Sequence, residues 1–397
     1  MRIGILEIMD TGHIVLAETL CKIFCSDSQN QVSLFTLKIH ADNLKYLIEK
    51  YPNLSIIANV SQQTRSGFLK EIGSLSFDRL YIVTLNKLFA EFSRWRVKSR
   101  VFLVVHNLDE WFDNSLFQSF RKFFYTIFDN QGFKLLIYHF KLHFIYPTYK
   151  KHILKIINRT NGHIVVLSES VHKEVKKLNI KTPVEVIPFS VFDPSLVLND
   201  NGADKPLRIC VPGILSQYRR NYLALLDLLE KQLEAYKYHF EIDFLGGVQP
   251  ENLLNDSGPI LEKIKILNDT GFTIIIHNVP FIPPEEYDRE LAHADIILGN
   301  MNVILNKHSE YGRTKETGLP FAMIKAARPG ILPDNYPFPK EISSSIFLYH
   351  DFEDLGSLLI QLIKDPHILN TMKKEARANS EKFTPEIIYK QLFMDHN

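Results

Sequence analysis

Lys315 and Glu316, followed by Thr317 and Gly318, lie where a polar, glycine-punctuated segment gives way to an apolar run from Leu319 to Ala327, and Pro329-Gly330 then stops that run. The order predicts a loop, a helix, a turn and a strand. A loop entering a helix presents unpaired backbone N–H groups and the positive end of the helix dipole, which suit a phosphate or a sugar hydroxyl. From these residues alone a helix cap with a solvated charge pair reads equally well. The remaining chemistry-bearing residues stand singly: His13 after Asp10-Thr11-Gly12, Thr84 with Asn86, and His106 with Asn107, trailed by Asp109 and Glu110. An imidazole can move protons near neutral pH, and it can equally be a hydrogen-bonded structural group; Asp109 and Glu110 read as base or as helix caps. No cluster has metal-ligand spacing, so no metal and no cofactor are expected.

These residues need elements to hold them. Apolar segments at 3–8, 32–36, 54–58, 79–84, 101–106 and 163–167 alternate with helix-like segments, and the first of them passes through Asp10-Thr11-Gly12-His13 into a helical pattern from Ile14 to Phe24. That alternation predicts a parallel sheet with helices on both faces, in which ligands sit beyond the carboxyl ends of the strands. His13, Thr84, Asn86, His106 and Asn107 all fall at such ends. After Val184-Glu-Val-Ile-Pro188 comes a loop-like segment containing Asp193-Pro194 and Asn199-Asp-Asn-Gly-Ala-Asp204. The alternation then restarts at Leu207 to Val211, Phe240 to Leu245, Phe272 to His277, Asp295 to Leu298 and Ser345 to Tyr349. The expected fold class is therefore α/β, with two Rossmann-like doubly wound domains facing across a cleft. The boundaries read as 1–190 for the first domain, 191–206 for a linker, 207–383 for the second domain and 384–397 for an amphipathic helix able to cross back to the first.

Composition bounds the partners. The chain has 397 residues, 45% hydrophobic and 23% charged, enough for two cores. Its 46 basic and 45 acidic residues leave a net charge of +1, which excludes the polyelectrolyte signature of a nucleic-acid binder. The three cysteines, Cys21, Cys25 and Cys210, are sparse and odd in number; Cys21 and Cys25 are spaced for one helix face and read as buried free thiols, in a reducing compartment. Glu7 and Asp10 interrupt the first apolar run too early for a signal peptide, and no apolar run reaches the roughly 18 to 20 residues of a membrane span. A cytoplasmic protein is expected. The stretch 116–159 is rich in Lys, Arg, Phe and Tyr, including Lys150, Lys151 and Lys155. It reads either as a peripheral surface at the inner face of a membrane or as a helical insertion whose rings pack on the sheet.

Three blocks carry a resemblance to a known family. They are Arg208-Ile-Cys-Val-Pro-Gly213 with Gln217-Tyr-Arg-Arg-Asn-Tyr222, then Asn278-Val-Pro-Phe-Ile-Pro-Pro-Glu-Glu-Tyr287 running to Ala292-His-Ala-Asp295, and then the segment from Tyr311 to Pro333. In their order and spacing they resemble the second domain of GT-B glycosyltransferases, most closely the retaining, nucleotide-sugar-dependent group 1 or family 4 type. Ser168-Glu-Ser-Val171 and Val186-Ile-Pro188 resemble segments before that family's linker. The resemblance covers most of residues 163 to 340 and more weakly the first 110. It implies that Gly213 lets the backbone approach a diphosphate, that Arg219 or Arg220 supplies charge, and that Lys315 is a second cation. Glu316, Thr317 and Gly318 would bind sugar or diphosphate, and main-chain groups near Val279, Phe281 and Ile282 would meet the base. Such cations are wanted because a departing nucleoside diphosphate gains negative charge. On the acceptor side, His106 resembles the family's cleft histidine, His13 is the candidate base for an inverting reaction with Asp10 to orient it, and Asp109 is a third candidate.

The chain departs from the family in one respect. Many relatives carry two glutamates with seven residues between them, the second holding the ribose hydroxyls. Glu316 can be the first, but Ile324 stands at the second position, or Ala322 if Arg328-Pro329 is matched to the family's helix end. The expected activity is a metal-independent hexosyl transfer from a nucleotide sugar to a glycan or lipid-linked acceptor, in cell-surface polysaccharide or glycolipid synthesis. The alternatives are a nucleotide-sugar epimerase on the same fold and a catalytically silent homologue that docks a membrane or partner.

Overall fold

In the computed structural model the described residues are 1–9, 13–59, 64–85, 88–112, 144–197, 205–248, 257–306 and 309–394. Asp10, Asn86, most of the 116–159 stretch and the 199–204 loop lie outside them. The chain divides into two units, Met1–Pro188 with Tyr389–Asn397, and Phe189–Ile388.

In the first unit β1 (Arg2–Glu7), β2 (Gln31–Leu37), β3 (Leu54–Asn59), β4 (Arg79–Ile82), β5 (Val101–Val104), β6 (His163–Val166) and β7 (Val184–Val186) form one sheet in the order β3-β2-β1-β4-β5-β6-β7. Every neighbouring pair is parallel. Strands buried on both faces read as continuous apolar runs, and Ile3, Ile5 and Leu6 are wholly buried. The strand order reverses direction between β1 and β4. In doubly wound sheets ligands bind outside the strand ends at such a reversal point.

The second unit repeats the plan. Strands β8 (Leu207–Cys210), β9 (Phe240–Gly247), β10 (Thr273–His277), β11 (Ile296–Leu298), β14 (Gly330–Pro333) and β15 (Ile346–Tyr349) form a sheet in the order β10-β9-β8-β11-β14-β15, again parallel throughout. Its order reverses between β8 and β11. Between β11 and the helix Leu319–Ala326 the chain adds a small antiparallel pair, β12 (Ile304–Asn306) with β13 (Ser309–Glu310). Every residue of that helix is buried, and all are apolar except Lys325, which pairs with Asp288 at 2.7 Å. It ends on Ala327 in the left-handed region, φ 51°, before Pro329 and the next strand.

The described part of the basic, aromatic stretch takes Lys150 out of any membrane-facing surface there. Helix Tyr146–Arg159 packs Ile153 and Ile157 into the first core. Lys150 is only 3% exposed, its ammonium 5.4 Å from the Phe89 ring and 5.7 Å from that of Trp111. A lysine held against two ring faces is attracted by their quadrupoles and cannot also meet lipid headgroups. Lys151 and Lys155 remain exposed. No helix among the described residues is long and apolar enough to cross a membrane.

Candidate functional site

Each unit gathers its chemistry-bearing groups at the point where its strand order reverses. In the first unit the centre is Glu7, the last residue of β1, wholly buried. Its carboxyl accepts from the Thr84 hydroxyl at 2.5 Å, the Met9 N–H at 3.0 Å and the His13 N–H at 3.2 Å. Thr84 follows β4, so this side chain ties together the two strands that flank the reversal. Burial raises the Glu7 carboxyl to about 7, outweighing the three hydrogen bonds that favour its charged form.

The backbone bond from Glu7 holds His13 at the start of helix Ile14–Cys25, and the His13 ring stacks on His106 with centroids 4.0 Å apart and planes 28° from parallel. His106 lies just beyond β5 and donates its Nε2–H to the Val83 carbonyl at 3.1 Å. A carbonyl can only accept, so the neutral ring carries its lone pair on Nδ1. Burial pushes the His106 imidazole well below its ordinary range, and the adjacent His13 adds to the shift. His106 is therefore neutral at physiological pH. It serves better as a hydrogen-bond partner for a sugar hydroxyl than as a proton store. Asp109 lies on the short helix Leu108–Phe112, and its side chain is outside the described residues.

In the second unit Gly213 follows β8 with φ +120°, a conformation that favours glycine. A Cβ there would stand 2.5 Å from Nη2 of Arg220, so the missing side chain is what lets the guanidinium lie against the turn. The Tyr222 hydroxyl holds the same turn by donating to the Gly213 carbonyl at 3.2 Å. A Cβ on Gly246, at the end of β9, would overlap that carbonyl. Arg220 is 9% exposed, and among the described residues its Nη1 has no hydrogen-bond partner. Arg219 points outward. The segment from Ser216 to Asn221 is strapped by the residues after β11: the Asn221 N–H donates to the Asn300 carbonyl at 2.8 Å, Arg220 pairs with Met301, and the Asn302 N–H donates to the Arg219 carbonyl at 3.2 Å.

Lys315 and Glu316 are half-buried in a tight turn, in which Gly312, φ +78°, donates to the Lys315 carbonyl at 2.7 Å. Glu316 and Arg220 both act on the buried phenol of Tyr336: burial pushes that phenol up, Glu316 adds to the rise and Arg220 opposes it. The structure thus brings Gly213, Arg220 and Glu316 into one neighbourhood. Thr317 accepts from the Leu319 N–H at 3.4 Å. Gly318 precedes that helix with ordinary φ −72°, and a Cβ on it would meet nothing nearer than a Phe189 ring carbon at 3.9 Å. Val279 already spends its N–H on the His277 carbonyl and its carbonyl on the Val248 N–H. Phe281 offers an exposed ring, 57% accessible, and Ile282 is buried. Ala322 and Ile324 are both buried in the helix, so neither position presents a group to a ribose. Among the described residues no three His, Cys, Asp or Glu side chains group as metal ligands.

Two residues escaped the sequence reading. Glu7 read only as a polar interruption, although a carboxylate closing a doubly buried strand is the signal that could have marked it. Asn300, 1% exposed with neither amide atom partnered among the described residues, lies two residues beyond the end of β11. Its position past an apolar strand was the available signal.

No family model matches the chain, and no curated protein matches it. Solved structures do. HepE from Anabaena, solved with UDP, superposes with a TM-score of 0.60 at 13% identity over 99% of this chain and 98% of its own. TarM from S. aureus, solved as a point mutant with fondaparinux, alpha-GlcNAc-glycerol and UDP, gives 0.61 at 10% identity over 98% of each chain. A protein described as a UDP-N-acetylglucosamine 2-epimerase from Listeria monocytogenes gives 0.53 at 11% identity over 100% of this chain and 97% of its own. At such identities the likeness speaks for the fold, which is GT-B.

Proposed function

We propose that this GT-B chain is a glycosyltransferase that moves a sugar from a nucleoside diphosphate sugar to a glycan or lipid-linked acceptor. The observation that carries the reading is Arg220, a buried guanidinium with an unpartnered Nη1, set against a glycine turn at the reversal point of the second sheet. A fixed cation of planar, bidentate shape in a half-dry site is what a departing diphosphate requires. Lys315 supplies further charge from the turn before helix Leu319–Ala326, and Glu316, Thr317 and Gly318 line the sugar side. Phe281 gives the base a ring to lie on. In the first unit His106 and His13 serve the acceptor, with Asp109 a third candidate. These protein cations take the place of a divalent ion, so transfer should survive EDTA. The setting would be cell-surface polysaccharide or glycolipid synthesis.

The test is calorimetry with UDP, GDP, ADP, TDP and CMP, with and without magnesium. One diphosphate should bind without metal. Arg220→Ala should weaken it about 10- to 100-fold, since hydrogen bonds to charged groups contribute roughly 1.5 to 3 kcal/mol. Arg219→Ala, on an exposed side chain, should change it little. Binding equal to the parent's in Arg220→Ala would remove the central residue of the proposal. The epimerase neighbour keeps a second reading in play: incubation with the nucleotide sugar and no acceptor should leave the sugar unchanged under the transferase reading, and conversion to an epimer would replace it.

A further inference from the structure

Asn300 is the most conspicuous polar group with no part in the site as described so far. It is 1% exposed, and among the described residues neither Oδ1 nor Nδ2 has a hydrogen-bond partner. Its backbone is fixed on all sides. The carbonyl accepts from the Asn221 N–H at 2.8 Å, the carbonyl of Gly299 before it accepts from the Tyr349 hydroxyl at 2.8 Å, and Met301 after it pairs with Arg220. The side chain is thus held by its neighbours and not by bonds of its own. Buried carboxamides with both ends unpaired are rare in folded proteins, because each unpaired end forfeits its hydration. Asn300 also follows β11 across the sheet's reversal point from Gly213, beside Arg220.

We infer that Asn300 is the hydroxyl-reading residue of the second unit's site, donating from Nδ2 and accepting at Oδ1 from a sugar hydroxyl of the ligand whose phosphate meets Arg220. The inference rests on the transferase reading above and deepens it. A phosphate could satisfy Nδ2 but only accepts, which leaves Oδ1 unpaired. A hydroxyl both donates and accepts, so one or a vicinal pair satisfies both ends. Helix Leu319–Ala326 holds no carboxylate that could read a ribose, and its Ala322 and Ile324 are buried. The hydroxyl belongs either to the ribose or to the transferred sugar.

The experiment measures binding of UDP, 2′-deoxy-UDP and UDP-glucose, with GDP and 2′-deoxy-GDP in parallel, to the parent, Asn300→Ala and Asn300→Leu, together with ligand-free melting temperatures. If ribose is read, the parent prefers the ribo form by about tenfold or more and both variants lose that preference. If the transferred sugar is read, the variants bind UDP as the parent does and UDP-glucose at least tenfold more weakly. In both cases Asn300→Leu, which replaces two unpaired polar atoms by apolar ones of similar shape, should melt at the parent's temperature or about 2 to 4 °C above it. Variants that bind every probe as the parent does overturn the inference and leave the transferase reading standing. A parent that binds none of the nucleotides overturns both. Melting that falls in Asn300→Leu while binding is unchanged would make the residue structural.

Discussion

Glu7 shows what one buried carboxylate does to the first unit. Its folded value of about 7 lies above its ordinary 4.5. Between those values the folded protein holds a proton that the unfolded chain has released, so this contribution to stability is full in acid and lost as pH rises through 7. His106 works in the opposite sense: its lowered value means that its contribution is present at high pH and is lost on acidification. The parent's pH profile therefore mixes two opposing slopes, and a mutant difference separates them. Relative to Glu7→Gln, the parent should lose about 1.4 kcal/mol per pH unit between pH 5 and 7, with the difference flat above pH 8. Urea denaturation of both proteins at pH 5, 6, 7 and 8 measures it, and a constant difference would mean that Glu7 stays ionised. The sequence could mark Glu7 as a carboxylate closing an apolar strand, but it carries no sign of the hydroxyl across from it. His106 was legible because it closes an apolar strand. Its depressed basicity comes first from burial and then from the ring of His13, far off in sequence.

At the level of elements, the glycine turn after β8 and the helix Leu319–Ala326 make opposite predictions for the same substitution. Gly213→Ala meets a positive φ and the Arg220 guanidinium at once, so it should cost about 1 to 3 kcal/mol and also weaken diphosphate binding by displacing the cation. Gly318→Ala meets neither strain nor a close atom, and thermal melting should leave it unchanged or slightly raised. Loss of nucleotide binding in Gly318→Ala at full stability would then place the ligand against that backbone. Equal stability loss in both variants would contradict this account of the turn. The strands of both sheets were legible because each is a short apolar run bounded by polar loops, and their observed ends fall within a residue or two of the sequence reading. The β12–β13 pair was not, since strands of three and two residues show no period. Lys150 misled for a different reason. Lysine interleaved with aromatics looks the same in sequence whether the rings face lipid or close around the ammonium.

Across the whole molecule, the C-terminal helix Pro385–Met394 begins in the second unit and ends in the first. In the first unit Tyr389 donates to Asp27 at 2.8 Å and accepts from the Asn30 amide at 3.1 Å, while Phe393 lies 4.3 Å from the Arg79 guanidinium. Arg79 is also held by both carboxylate oxygens of Glu185, at 3.1 and 3.2 Å, so the Phe393 ring covers a partly buried ion pair. Removing that cover admits water to the pair and forfeits the cation–π contact, for a loss on the order of 2 kcal/mol in Phe393→Ala. Deleting residues 389–397 removes the two tyrosine hydrogen bonds as well and should cost more. The chain's two tryptophans, Trp95 and Trp111, both sit in the first unit, so intrinsic fluorescence during denaturation follows that unit. The midpoint should fall in the order parent, Phe393→Ala, deletion. A deletion that unfolds at the parent's midpoint would show that the last helix lies on the first unit without stabilising it. A midpoint for Phe393→Ala equal to that of the deletion would give the whole effect to the ring over Arg79 and none to Tyr389.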